Sequence, residues 1–272
     1  MRIAVGIEYN GASFHGWQLQ DGVATVQQEV EAALGRVANH PVRVHCAGRT
    51  DAGVHALCQV VHFDTRAERD PRGWMLGANV HLPDDVSVLW VRPVRDDFHA
   101  RFSATSRTYR YLILNRAGRP GLLARRATWV HRPLDAERMQ RAGQALVGTH
   151  DFSSYRALAC QARHPTRTLT GLDVRRCGDL VEVRVTANAF LHHMVRNIAG
   201  VLLEVGKGDA PVSRAGEVLA LRDRTQGGVT APADGLFFAG VAYPAAYGLP
   251  EMPRGAVPLP WWGGASHAAK RP

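Results

Sequence analysis

PVRVHCAGRTDAGVHALCQVVHF, residues 41–63, sets two alternating runs around a polar centre. The flanks, PVRVHCAG at 41–48 and VHALCQVVHF at 54–63, carry the period-two pattern of half-buried strands. Between them lie Arg49, Thr50 and Asp51, framed by Gly48 and Gly53. Asp and Gly are the usual residues of a tight turn. The centre therefore supports two readings, a plain hairpin turn or a loop that presents one carboxylate for chemistry. Either way, two successive strands are joined by a short connection.

Working outward, RIAVGIEY at 2–9 alternates like a half-buried strand, and TVQQEVEAALGRVAN at 25–39 has a helical apolar stripe of Val26, Val30, Ala33, Leu34 and Val37. Thr25 with Gln28 predicts a capping box at its start. PRGWMLGANVHL at 71–82 reads as a helix and DVSVLWVRPV at 85–94 as a strand. The order strand, helix, strand, strand, helix, strand is a split βαβ pattern.

The second half repeats that order loosely. SRTYRYLILN at 106–115 is a strand, and LDAERMQRAGQALVG at 134–148 is a helix capped by Asp135. RTLTGLDVRRC and LVEVRVTAN, at 167–177 and 180–188, flank a Gly178–Asp179 turn. AFLHHMVRNIAGVLLEVG at 189–206 is the strongest helical pattern, with Phe190, Met194, Ile198, Val201, Leu202 and Val205 as its stripe and Gly206 at its end. On such a helix the adjacent His192 and His193 diverge and make a poor metal pair. A short helix near Arg214 to Leu221 and the strand GLFFAGVAYP at 235–244 complete the pattern. The expected fold class is α+β, with an N-terminal half over residues 1–102, a C-terminal half over 103–249 and an irregular tail over 250–272 rich in Pro and Gly.

With 272 residues and 46% hydrophobic content the chain can bury a real core. The N-terminus does not resemble a secretory signal, and no run of eighteen apolar residues suggests a membrane span. Cys46, Cys58, Cys160 and Cys177 lack metal-ligand spacing, and free thiols in a reducing cytoplasm are the simplest account. The net charge of +9 is concentrated: between Arg95 and Arg126 eight arginines face only Asp96 and Asp97. Such a run is either a solvated face or the footprint of a polyanion, most often nucleic acid.

No phosphate-binding loop, dinucleotide fingerprint or serine-hydrolase elbow is present. What remains is Asp51 in its Gly-framed turn, the basic-aromatic segment FHARFSATSRTYRYLI at 98–113, and Arg196 among histidines. A nearby opposite charge favours the ionised form of a carboxylate, and a partly desolvated carboxylate is a competent nucleophile. Tyrosines among arginines offer stacking faces for unpaired bases while the arginines hold phosphates. Tyr109 and Tyr111 share one side of their strand, and Tyr111 suits the core.

CAGRTDAGVHA at 46–56 resembles the signature of the tRNA pseudouridine synthase A family, an arginine and a threonine before the catalytic aspartate. EYNGASFHGWQLQ at 8–20 resembles the family's N-terminal strand and forefinger-like loop, and DDFHARFSATSRTYRYLI at 96–113 its basic-aromatic segment. ANAFLHHMVRNIAG at 187–200 resembles its long C-terminal helix and APADGLFFAGVAY at 231–243 its final strand. The resemblance implies two ferredoxin-like, RRM-like α/β halves in one largely antiparallel continuous sheet flanked by helices, with the active-site cleft between the halves.

It implies Asp51 as catalytic nucleophile or base, and Arg49 entering the space left by a flipped base. Tyr109 would stack on the target uracil and assist proton removal. Arg196 would pair with Asp51, Leu236 would wall the pocket, and Arg107 and Arg110 would join the substrate contacts. The implied reaction isomerises uridine at positions 38, 39 and 40 of the tRNA anticodon stem-loop, in a cytoplasmic homodimer, with no cofactor and no metal. Two rivals stand beside it: a non-catalytic tRNA-binding or folding module, and a hydrolase using Asp51 with a metal. The second lacks the clustered carboxylates that two-metal sites require.

Overall fold

The computed structural model describes residues 1–250. Beyond Pro250, the expected irregular tail lies outside the described residues. The N-terminal elements are β1 (Arg2–Tyr9), α1 (Val26–Ala38), β2 (His45–Cys46), β3 (His55–Asp64), α2 (Pro71–His81) and β4 (Val86–Val94). There follow β5 (Ser106–Asn115), β6 (Thr128–Val130), α3 (Ala136–Gln144), β7 (Gly148–Asp151), β8 (Thr166–Cys177), β9 (Leu180–Ala187), α4 (Met194–Gly206), α5 (Arg214–Leu221) and β10 (Leu236–Ala242).

Among the described residues all ten strands join one sheet in the order β4-β1-β3-β10-β5-β9-β8-β7, with β2 on β3 and β6 on β5. Each half shows the same arrangement. In the first, the strand order is β4-β1-β3 with β2 beside β3; in the second it is β10-β5-β9-β8. Both are the ferredoxin-like split βαβ pattern that the element order predicts. Pairing is antiparallel except for β10 on β3 and β6 on β5.

The seam depends on the shortness of β2. It covers β3 only opposite Val61 and His62. The first residues of β3 are left open, and there β10 docks in parallel, Phe237 opposite His55 and Phe238 opposite Ala56. The loop from β2 to β3 thus emerges where the two halves meet. The run at 41–44 keeps its strand-like alternation, with Val42 and Val44 buried. Its backbone bonds elsewhere, however: the Val44 N–H donates to the Glu31 carboxylate of α1 at 3.0 Å, so only two residues enter the ladder.

Two groups of buried side chains lie against the two parts of the sheet. One gathers Trp17, Leu34, Phe63, Trp74 and Phe98; the other gathers Tyr111, Met139, Phe152, Tyr155 and Ile198. Phe63 and Trp74 meet edge to face at 5.3 Å, fastening α2 to β3. Replacing a buried aromatic of this kind by Ala costs about 3–5 kcal/mol, a large fraction of ordinary domain stability. Tyr109 packs against both groups.

Three local expectations are corrected. β1 is not half-buried, because Ile3 to Ile7 are all covered; it is an interior strand, and Trp90 lies over Gly6 on its second face. Thr25 makes no side-chain cap. The first N–H groups of α1 are met instead by backbone carbonyls, Val26 to Gly16 at 3.2 Å and Gln27 to Trp17 at 3.0 Å, so the preceding loop does the capping. Finally, α4 begins at Met194 rather than Ala189, because His193 turns left-handed at φ +61°. Asp135, in contrast, caps α3 as its position predicts, accepting from the Arg138 N–H at 2.9 Å.

Candidate active site

The loop that presents Asp51 is fixed on every side. At its start, Gln59 of β3, fully buried, donates its amide to the Gly48 carbonyl at 2.5 Å. Thr50 is buried, and its hydroxyl meets the Tyr9 phenol at 2.7 Å. The Asp51 carbonyl accepts from Val54 N–H at 3.1 Å, and Gly53 supplies the bend with φ +77°. From outside, the 10–24 segment braces the loop: Trp17 N–H donates to the Thr50 carbonyl at 3.0 Å, and Gly53 N–H to the Phe14 carbonyl at 3.3 Å. Gly16 is required here. It has φ +88°, and a Cβ at that position would stand 2.6 Å from the Thr50 carbonyl oxygen. The forefinger-like loop and the Asp51 loop are therefore one unit.

Asp51, about one-third exposed, faces three basic groups from the first turn of α4 and the turn before it. His192 Nε2 lies 3.3 Å from Oδ1, His193 Nε2 lies 3.2 Å from Oδ2, and the Arg196 guanidinium lies 3.6 Å from Oδ2. Arg196 is itself held by the Ala231 carbonyl at 2.8 Å. The predicted pairing of Asp51 with Arg196 is thus present. His193 also stands 3.3 Å from the Arg196 guanidinium. Burial, opposed by the Asp51 charge, pulls the His193 pKa down. A neutral imidazole can donate Nε2–H to the carboxylate or accept from the guanidinium, but one nitrogen cannot do both.

The histidine pair corrects the expectation that these two rings diverge. That expectation extended the helix over them; they lie instead in the turn before it, with ring centroids 4.1 Å apart. The signal was the pair itself, misplaced by five residues of helix too many. The three donor atoms of Asp51, His192 and His193 lie within 4.8 Å of one another, close enough to hold an ion. The Arg196 cation already stands beside two of them, and a positive charge there opposes a second.

Asp51 opens into a cleft of about 1380 Å³ that Arg49, Arg107, Tyr109, Arg196 and Leu236 also line. Arg49 is exposed, while Leu236 is buried. Tyr109 stands edge-on between Phe190 at 4.9 Å and Phe238 at 5.1 Å, which fix the plane of its ring. Burial, then the charge of Asp51, pushes the Tyr109 phenol pKa up. Tyr111, on the same strand face, is fully buried, its hydroxyl donating to the Pro232 carbonyl at 2.9 Å.

The two remaining arginines divide. Arg107 donates to the carbonyls of Ala47 at 3.2 Å, Asn188 at 2.9 Å and Arg101 at 2.6 Å, so its guanidinium ties three cleft segments together. Arg110 does not line the cleft. Strand alternation sends it to the opposite face of β5, where it pairs with Glu182, Nε to Oε2 at 2.8 Å. Arg110 therefore faces away from the cleft. Of the arginines from Arg95 to Arg126, the other six are exposed.

The model of a family described as tRNA pseudouridine synthase matches residues 6–103 and 142–244 of this chain. A tRNA pseudouridine synthase A of Methylococcus capsulatus is 59% identical over 249 residues, spanning 92% of this chain and 92% of that protein. One of Pseudoalteromonas atlantica is 54% identical over 94% of this chain and 98% of its own. One of Coxiella burnetii is 52% identical over 95% and 99%.

Proposed function

Because this chain belongs to the tRNA pseudouridine synthase family and isomerises uridine to pseudouridine in tRNA, we propose that Asp51 is the essential carboxylate of that reaction. We propose uridines 38, 39 and 40 of the anticodon stem-loop as its targets. The observation that carries this reading is one carboxylate, on a loop braced by Gln59, Tyr9 and the 10–24 segment and facing Arg196 and two imidazoles, opening into the cleft. The reaction breaks the bond from ribose C1′ to uracil N1, turns the ring and rejoins C1′ to C5. The C5 proton leaves and N1 gains one. Addition to the ring, attack at the sugar and proton removal from the sugar each place one carboxylate beside that bond.

The other cleft residues take the remaining tasks. A base inside a helix is out of reach, so the target is extruded, and stacking and a wedge repay the lost contacts. Tyr109 offers its ring to the uracil from a fixed orientation, with Leu236 as the apolar wall. Arg49, exposed at the loop tip, fills the gap that the uracil leaves. Arg107 keeps the cleft walls in register through its three carbonyls. The exposed arginines from Arg95 to Arg126 supply affinity for folded RNA without reading its sequence.

Family resemblance also supports a homodimer working in the cytoplasm. No helix of the described residues is long and apolar enough to cross a membrane. The test uses purified protein and unmodified tRNA, without added metal or cofactor, and maps pseudouridine. Wild type converts positions 38 to 40. Asp51→Asn binds tRNA with nearly unchanged affinity and produces none. Normal conversion by Asp51→Asn overturns the assignment, and loss of wild-type conversion with chelator restores the metal-dependent reading.

A further inference from the structure

Phe102 is 76% exposed, whereas Phe63, Phe98, Phe152 and Phe238 are fully buried. A single exposed apolar residue is unremarkable on a mobile loop, but this one stands on a tightly tied turn. The Ser103 N–H donates to the His99 carbonyl at 2.9 Å, and the His99 N–H to the Ser103 hydroxyl at 2.9 Å. His99 Nδ1 accepts from the N–H groups of Arg101 at 3.1 Å and Phe102 at 3.3 Å. The Arg101 carbonyl takes the Arg107 guanidinium at 2.6 Å, and the Ala100 carbonyl takes the Tyr243 hydroxyl at 2.6 Å. Phe98 and Ala100 are fully buried and root the turn in the core.

The surroundings of the ring have a definite chemistry. His99 lies against it at 4.3 Å, itself against His62 at 4.5 Å and His45 at 5.7 Å, so imidazoles back one side. The Arg101 guanidinium stands over the ring, 5.6 Å from its centroid. Phe102 and Arg101 both line the cleft that holds Asp51, yet neither is among the groups that touch it. A largely exposed aromatic ring, pre-oriented and with the Arg101 cation over it, at the rim of an arginine-lined cleft, has the chemistry that receives an unpaired nucleobase. Because the turn is already ordered, binding does not have to immobilise it.

We propose that Phe102 is a stacking platform for a second unpaired base of the tRNA, distinct from the uridine delivered to Asp51. The assignment rests on the reading of the cleft as a tRNA site. Base stacking on an aromatic ring makes Phe102→Ala weaken tRNA binding by roughly 5- to 150-fold. The loss falls mainly on Kd, more than on the single-turnover rate at saturating tRNA.

Four proteins are compared on one unmodified tRNA, with Kd, single-turnover conversion and sedimentation measured for each. Phe102→Trp retains or improves affinity, and Phe102→Leu, apolar but without a π-face, stays as weak as Phe102→Ala. Unchanged affinity in Phe102→Ala while wild type converts uridine normally overturns the platform alone. Full rescue by Phe102→Leu overturns it too, by reducing the ring to bulk. A change of oligomeric state in Phe102→Ala makes the ring a protein contact and also overturns it. Absence of conversion by wild type overturns the tRNA reading itself.

Discussion

His193 reaches Asp51 from a left-handed backbone: its φ is +61°, and its Nε2 lies 3.2 Å from the aspartate Oδ2. Non-glycine residues in this region cost about 1–2 kcal/mol, and such costs gather where geometry serves a site. His193→Asn keeps a residue that tolerates the conformation but removes the imidazole. Its melting temperature stays within a few degrees of wild type. Single-turnover conversion falls by about 10- to 100-fold through a misplaced carboxylate, while the tRNA Kd changes by less than about 3-fold. An unchanged rate at saturating tRNA would show that Asp51 is positioned without this ring.

Tyr109→Phe separates stacking from proton movement. Burial and the neighbouring carboxylate raise the phenol pKa, so the hydroxyl is protonated at neutral pH and is available as a donor or relay rather than as a base. Both ring neighbours, Phe190 and Phe238, remain in the variant. Affinity for tRNA is expected to hold while turnover slows by about 100-fold, the ordinary contribution of a positioned acid or base. Equal single-turnover rates for the two proteins would confine Tyr109 to positioning.

Gly16 and Gly22 offer a matched pair. Both have positive φ, +88° and +77°, but only Gly16 has the Thr50 carbonyl where a Cβ would stand. Gly22→Ala is expected to cost about 1–2 kcal/mol from backbone conformation alone. Gly16→Ala adds a clash with backbone and loses a further ~2 kcal/mol or more, along with activity. Urea denaturation of the two variants measures the difference. Equal losses would mean that the brace between the two loops yields without cost.

Acid should loosen the turn that carries Phe102. His62 Nδ1 accepts the Ala100 N–H at 3.1 Å and so must be unprotonated. Burial, aided by the charges of His99, Arg2 and His45, lowers the His62 pKa from 6.5 to about 4. Above pH 6.5 neither the folded nor the unfolded chain protonates this ring appreciably. Between 6.5 and about 4 the unfolded chain binds a proton that the folded chain refuses, so stability falls as pH falls through that window. Thermal melts at pH 7.5 and pH 5 should show a smaller drop for His62→Gln than for wild type. His55, His99 and His193, also lowered chiefly by burial, keep part of the dependence in the variant. The same drop in both proteins would remove His62 from the account.

Much of this architecture is legible in residue order because hydrophobic periods are local. The stripe Met194, Ile198, Val201, Leu202 and Val205 is buried along α4, and the strands 106–115 and 180–187 fall where alternation puts them. What failed were features decided by neighbours distant in sequence. Thr25 has the composition of a cap, yet Gly16 and Trp17 carbonyls fill that role. β6 and β7, three and four residues long, are too short for any period to mark. At the site, the lone Asp51 in its glycine frame was readable, whereas its pairing with Arg196 came only from the family resemblance. The histidines were not, because an unbroken helical pattern hides a single left-handed residue. Arg110 could have been placed correctly: the alternation that puts Tyr109 and Tyr111 together sends the residue between them to the far face.

The docking of β10 on the free end of β3 also sets a schedule. Leu236 and the last sheet contact beside the Asp51 loop come from near the end of the described chain, so a ribosome that has made only the first half has produced Asp51 without its pocket. Until β10 arrives, the open β3 edge is a template for wrong partners. Completion of the pocket then waits for β10, and the segment that completes it is also the one that pairs with that edge.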